Sequence, residues 1–310
     1  MSGLASTAYA AGWRIVRALP GPVATALFRV GADWAVRRDG AGVRRLASNL
    51  GTVTGTSGPE LAALVRDGMR SYARYWQEAF RLPSRSKEQV LASFVMENEE
   101  LLWAAQAEGK GLIVALPHSG NWDHAGAYIC YRGMPLVTVA ERLKPEDLYR
   151  QFLAYRESLG MEIIPATGGG IPVVDQLADR LRAGRLVVLL ADRDLSARGV
   201  PVEFFGRRTR MPAGPAILAL RTGAPLFTAA LSFDGPIAKA VVSGPLEPPS
   251  EGDRTERITE FTQRIADQLA KGIAEHPEDW HMLQRLWLDD PAPARAPKRP
   301  APASPPAKER

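Results

Sequence analysis

From about residue 88 onward, short apolar runs alternate with amphipathic stretches. GLIVALP (111–117), PLVTVAE (135–141), MEIIP (161–165) and RLVVLL (185–190) read as strands, the first a near-continuous apolar run of the kind buried on both faces. Between them, PEDLYRQFLAYRESLG and IPVVDQLADRLRAG read as helices, as does the chain after Trp122. Further apolar runs at PVEFF, PLFTAALSF and IAKAVVSG suggest additional strands, and a long helix is expected near 252–275. This alternation predicts an α/β fold with a largely parallel central sheet flanked by helices. In such sheets, functional residues collect beyond the carboxyl ends of the strands. His118, Glu141 and Asp192 fall at three of those ends.

Upstream, the pattern is helical. LASTAYAAGWRIVRALPGPVATALFRVGADWAVRR reads as two helices broken at Pro20-Gly21-Pro22. Each mixes apolar and basic residues: Trp13, Ile15 and Val16 beside Arg14 and Arg17, then Phe28, Val30 and Trp34 beside Arg29, Arg37 and Arg38. A basic amphipathic helix can lie in a membrane interface, with Trp at headgroup level and Arg facing phosphates. Helices of this composition also cover ordinary cores, and both arrangements fit. A further helix is expected around 59–81, with Tyr72, Tyr75, Trp76 and Phe80 on one buried face. The expected organisation is one domain over 1–289, with membrane-facing amphipathic helices within 1–45. A basic Pro/Ala-rich tail over 290–310 lacks the apolar residues to offset ordering entropy and is expected to be disordered.

Composition narrows the class. The 310 residues suffice for a substantial core, and 45% apolar with 24% charged residues is an ordinary globular balance. A net charge of +5 and a pI near 9.5 point to an anionic partner, a membrane surface or nucleic acid. No nucleic-acid motif and no dense basic/aromatic stripe is present, so nucleic acid is not the expected partner. Charge or proline interrupts every apolar run well before the ~20 residues needed to span a bilayer. The N-terminus lacks the basic start, apolar core and small-residue cleavage site of a signal peptide. The only cysteine, Cys130, excludes an internal disulfide and a Cys-cluster metal site, and fits a reducing compartment. A soluble or peripheral cytoplasmic protein is expected.

The chemistry concentrates in LPHSGNWDHAG, residues 116–126. A histidine, with an unperturbed pKa of roughly 6.5, can take a proton from a hydroxyl near neutral pH. It works better when a carboxylate accepts from its second ring nitrogen. His118 and Asp123 can converge across a strand-to-helix turn in which Gly120-Asn121 supplies the bend. A metal-dependent hydrolase using His118, Asp123 and Asp192 is the alternative, since His and carboxylate ligands can hold a catalytic zinc. Against it stand the missing HExxH spacing and the orientation of His124, about 100° from Asp123 on a helix.

HSGNWD also carries a resemblance. As an H-x4-D motif after a strand, it resembles the signature of glycerolipid and lipid A-type acyltransferases. LLADRDLSARGVPVEFFGRRTRMPAGPAILALRTGAP resembles the lipid A-type segment in which an acidic strand end precedes an FFG turn. The combination of ADRDL, FFG and MPAGPA is most similar to actinobacterial phosphatidylinositol mannoside acyltransferases, and the similarity runs to about Leu288. The resemblance implies transfer of a fatty acyl chain, typically palmitoyl, from acyl-CoA to a mannose hydroxyl of a phosphatidylinositol mannoside. Acyl-CoA enters as co-substrate and no cofactor is implied. The expected location is the cytoplasmic face of the plasma membrane, held peripherally on its anionic surface. By motif match His118 is the general base. Asp192 stands where the resemblance implies a glutamate that orients the histidine, and Asp123 competes for that role. Glu141, Arg156 and His276 match polar residues near the acceptor sugar. Arg193 would meet anionic substrate or neutralise a neighbouring aspartate. Arg207, Arg208 and Arg210, after the FFG turn, would meet CoA phosphates or lipid headgroups, or form a solvated basic loop.

Overall fold

A computed structural model of the chain describes residues 16–140, 146–166, 171–194 and 198–290. A seven-stranded sheet runs through its centre in the order β1-β9-β8-β2-β5-β3-β4. The strands are β1 (Phe94–Glu97), β2 (Leu112–Leu116), β3 (Leu136–Ala140), β4 (Glu162–Pro165), β5 (Leu186–Leu190), β8 (Leu226–Asp234) and β9 (Ile237–Ser243). All neighbouring pairs are parallel except β8 with β9, which form an antiparallel hairpin. The expected α/β architecture with a largely parallel sheet is therefore the observed one. Every residue of β2 is buried, as its continuous apolar run requires of a central strand.

Alternate residues along β2 feed two cores. Ile113 and Ala115 face one, with Leu177, Leu181 and Leu218 from α8 (Val173–Arg182) and α9 (Gly214–Thr222), and Phe261 and Ile265 from α10 (Arg254–Glu275). Leu112, Val114 and Leu116 face the other, with Leu102 from α5 (Glu99–Ala107) and Ala127 and Ile129 from α6 (Trp122–Tyr131). Side chains on a strand alternate between faces, so one apolar run serves both layers. Among the described residues α7 spans Glu146–Ser158 and follows β3, completing the alternation expected between 135 and 190.

Three helices precede the sheet: α1 (Gly21–Arg38), α2 (Ala41–Thr54) and α3 (Gly58–Arg81), followed by the short α4 (Lys87–Ala92). The Pro20-Gly21-Pro22 break starts α1, where proline in the first turn costs no hydrogen bond. Val23, Leu27, Val30 and Trp34 form an exposed stripe on α1, each 45% or more accessible. No helix among the described residues is long and apolar enough to cross a membrane. Trp13 and Arg14 lie outside the described residues. So does the expected tail apart from Asp290, which is buried and paired with Arg45 and Arg207.

Two strands went unread in the sequence. β1 is a short edge strand, and β7 (Arg207–Met211) pairs antiparallel with β6 (Val200–Phe204) in a separate two-stranded ribbon. Phe205 and Gly206 turn that ribbon, both at positive φ, +50° and +71°.

Candidate active site

β2 ends at Leu116, and Pro117 leads into His118-Ser119-Gly120-Asn121 before α6 begins. Gly120 sits at φ +53° with its Cα pressed on the β8 backbone; a Cβ there would approach the Leu231 carbonyl carbon to 2.8 Å. Only glycine meets both conditions. The Asn121 side chain accepts from the His124 backbone N–H at 3.0 Å, capping α6, and donates to Glu78 Oε2 at 2.9 Å. The segment after α10 crosses this turn: Ser119 bridges Trp280, and the His281 N–H donates to the His118 carbonyl at 2.8 Å. The turn is thus held on three sides before any side chain of the site is considered.

β5 lies beside β2, and the Ala191 N–H donates to the Leu116 carbonyl at 2.9 Å, so Asp192 arrives next to His118. His118 Nδ1–H donates to Asp192 Oδ1 at 2.5 Å. The His118 backbone N–H and Trp280 Nε1–H both reach Oδ2, at 3.0 and 2.9 Å. Asp192 is wholly buried. Burial alone would raise its carboxyl pKa, but the adjacent His118 and these three donors hold it below the usual carboxylate range. A carboxylate accepting at Nδ1 fixes the tautomer that leaves Nε2 with its lone pair, and Nε2 has no partner among the described residues.

Asp123, the motif's own carboxylate, is engaged elsewhere. Arg156 Nε–H donates to its Oδ1 at 2.8 Å and the Tyr75 hydroxyl to its Oδ2 at 2.9 Å. Burial would lower the Arg156 pKa, yet Asp123 and Tyr75 hold it above the ordinary guanidinium value. Burial and the Asp123 charge push the Tyr75 phenol well above 10, so it stays a donor. Asp123 therefore positions Arg156, while Asp192 contacts His118.

His118 and Arg156 open onto a cleft of about 260 Å³ walled by Tyr72, Tyr75, Trp76 and Trp122. Tyr75 and Trp122 lie with ring centroids 4.0 Å apart. Arg193 lines the same cleft and donates to Gln284 Oε1. His281 closes it from the side. Ser71 Oγ donates to Asp279 Oδ1 at 2.5 Å, so its oxygen, 3.0 Å from His281 Nε2, must accept from that nitrogen. His281 Nδ1 is then a bare, buried acceptor with no partner among the described residues. Burial, with the charge of His118, pushes the His281 pKa down to about 3, keeping the ring neutral. Trp122 Nε1–H is a buried donor likewise unpaired among the described residues. At Trp122, Arg156 and Leu190 the cleft meets a narrow apolar space of about 70 Å³ between α6 and the sheet, lined by residues such as Val114, Leu116, Ile129 and Met161. The ensemble offers a proton acceptor, a guanidinium, a neutral donor and acceptor, and an apolar recess behind them.

Residues 3–289 match the model of the bacterial lipid A biosynthesis acyltransferase family. The chain belongs to that family. It is 47% identical over 283 residues to a phosphatidylinositol mannoside acyltransferase of Mycolicibacterium smegmatis, covering 91% of both chains. It is 46% identical over 288 residues to the protein of that name from Mycobacterium tuberculosis, covering 91% of this chain and 88% of the relative.

Within this family member several expected site residues lie elsewhere. His276 caps the end of α10, paired with Glu278 at 3.5 Å and well exposed. The turn Pro277–Asp279 then reverses the chain, so His281 rather than His276 lines the cleft. Trp280 and Met282 point inward around His281, a short alternation that is the one signal for it in HPEDWHMLQRLW. Arg207 and Arg210 belong to β7, whose Thr209 and Met211 face the core, and they do not reach the His118 cleft. Arg207 pairs with Asp289 and Asp290 and lies over the Trp287 ring; Arg210 donates to the Gly199 carbonyl. His124 is buried and donates to the Val90 carbonyl at 3.0 Å. Glu141 lies outside the described residues. The hydrolase alternative loses its ligand set: among the described residues, His118, Asp123 and Asp192 do not bring three ligand atoms within metal-binding reach of one another. Among the described residues only His276, Glu278 and Asp279 do so, and Asp279 is already committed to Ser71 and the Phe233 N–H.

Proposed function

We propose that this protein transfers a fatty acyl chain, palmitoyl in the first instance, from acyl-CoA to a mannose hydroxyl of a phosphatidylinositol mannoside. The observation that supports it is the His118–Asp192 pair, 2.5 Å apart at the junction of a polar cleft and an apolar recess. The names of the relatives support the acceptor class. In this reading His118 Nε2 takes the proton of the mannose hydroxyl as its oxygen attacks the thioester carbon. The imidazolium that forms is stabilised by Asp192. The tetrahedral oxyanion collapses, the C–S bond breaks, and the imidazolium returns the proton to the departing thiolate. The products are the acylated glycolipid and free CoA, and His118 is restored.

Arg156, held by Asp123, and the unpaired Trp122 N–H supply donors for the anionic intermediate or the acceptor. His281 Nδ1 supplies an acceptor for a sugar hydroxyl. The acyl chain takes the apolar space between α6 and the sheet, parting the two layers as it enters. The exposed stripe of α1, flanked by Arg37 and Arg38, docks the protein peripherally on an anionic membrane, on the cytoplasmic side.

The test is incubation of the purified chain with palmitoyl-CoA and a panel of phosphatidylinositol mannosides, followed by mass spectrometry of the lipids. Wild type should yield a product heavier by one acyl group, and His118→Ala, though folded, should yield at least a hundredfold less. Unchanged turnover in His118→Ala would refute the mechanism; no product with any acceptor would refute the function.

A further inference from the structure

α3 has two working faces. Tyr72, Tyr75 and Trp76 line the His118 cleft, whereas Arg70, Arg74, Gln77, Glu78 and Arg81 line a different one. This second cleft, about 970 Å³, lies between α1, α3, α4 and the turn Gly235-Pro236 that joins β8 to β9. Six arginines border it, Arg17, Arg29, Arg70, Arg74, Arg81 and Arg85, against a single carboxylate, Glu78.

Their pairing decides how much charge is left. Arg70 is neutralised by a two-pronged contact with Asp33, at 2.7 and 2.8 Å, and Arg74 by Glu78 at 2.7 Å. Arg81 donates to the carbonyls of Val16 and Leu19, and Arg85 to Ser93 Oγ at 3.3 Å. These acceptors satisfy N–H groups without cancelling a charge. Arg29, Arg81 and Arg85 have no carboxylate within ion-pair distance among the described residues, and residues 1–15 contain no Asp or Glu to supply one. Concave walls focus such a field, and guanidinium groups match the forked oxygens of phosphate. Ser84, Ser93, Gln89 and Thr25 add neutral hydrogen-bonding groups around the same space. The volume is at the upper end of small-ligand sites.

We infer that this arginine-lined cleft is a binding site for a phosphate-bearing ligand, separate from the His118 cleft and not part of the acyl-transfer chemistry. α1 forms one wall and carries the exposed apolar stripe on its other side, so the phosphate belongs either to a lipid headgroup or to a soluble anion. The two sources are told apart by the probes below.

The test is isothermal titration of the full chain with sodium pyrophosphate, together with sedimentation on vesicles of phosphatidylcholine alone and of phosphatidylcholine with phosphatidylglycerol. Arg29→Gln/Arg85→Gln removes two unpaired charges from the cleft. Arg254→Gln/Lys271→Gln removes two exposed charges of α10, outside both the cleft and α1. Binding of at least one probe should be saturable, fall at least tenfold in the cleft pair and change less than twofold in the control pair. Strong pyrophosphate binding marks a soluble ligand; binding confined to phosphatidylglycerol vesicles marks a headgroup. If the cleft pair is unfolded by circular dichroism, Arg29→Gln alone, on the exposed surface of α1, should still weaken binding threefold or more. No saturable binding to either probe, or equal weakening by both pairs, overturns the site. His118→Ala should bind both probes as wild type does, so a failure of the acyl-transfer reading leaves this result intact and the reverse also holds.

Discussion

Replacing Asp192 by asparagine keeps the shape of the site and removes one charge. In the native arrangement both carboxylate oxygens accept, Oδ1 from His118 Nδ1 and Oδ2 from the His118 backbone and Trp280 Nε1. An asparagine has only one accepting oxygen, so its NH2 must face at least one of these donors, and a buried donor left unpaired costs about 1–3 kcal/mol. The variant should therefore fold but melt at a lower temperature. The larger effect is on rate. Attack on the thioester requires His118 to become an imidazolium, and a unit charge about 4 Å away is worth roughly 4 kcal/mol at an effective dielectric of 20. Losing that stabilisation alone lowers the rate about a thousandfold. An asparagine that accepts at His118 N–H and donates to Nδ1 would also favour the wrong tautomer, adding to the loss. The assay is kcat/KM for palmitoyl transfer, with circular dichroism melts on the same samples. A variant within tenfold of wild type, while His118→Ala is inactive, would show that Asp192 neither charges nor orients the histidine.

Other consequences follow from neighbouring contacts. Asp123→Asn should uncouple Arg156 and leave its guanidinium buried without a carboxylate, lowering stability by about 3–5 kcal/mol in urea unfolding. Asp123→Asn unfolding at the wild-type midpoint would contradict this account of Asp123. His281 is buried neutral with a folded pKa near 3, so between there and its unfolded value near 6.5 the unfolded chain holds the extra proton. Its contribution therefore makes stability fall as pH drops through that window, by up to about 1.4 kcal/mol per pH unit. In urea melts at pH 7, 6 and 5, His281→Gln should flatten the slope by about one proton's worth, and an unchanged slope would rule His281 out as its source. Leu27→Glu/Val30→Glu on the exposed face of α1 should cut partition to phosphatidylglycerol vesicles at least tenfold, since each apolar side chain forgoes roughly 1.5–3 kcal/mol of burial. Partition unchanged by that pair would remove α1 as the membrane contact.

The sequence by itself determined the layered α/β class, most of the sheet, and the position of His118 at a strand end. Those are local signals. A continuous apolar run such as that of β2 specifies a central strand wherever it sits, and Gly120 and Asn121 specify the turn that follows. β1 and β7 escaped because an edge strand and a basic ribbon carry little apolar periodicity. The partners of His118 were a different kind of question. Asp123 is five residues away and Asp192 is 74, yet only Asp192 reaches the ring. That outcome depends on β5 returning to lie against β2 after β3 and β4 have been laid outside it, and on Arg156 and Tyr75 claiming Asp123 first. The choice of His281 over His276, and the outward course of Arg207 and Arg210, depend likewise on a turn and a ribbon register. Local pattern sets which residues stand at the strand ends; which of them meet is decided by strand order and competition for hydrogen bonds, and only the assembled fold contains both.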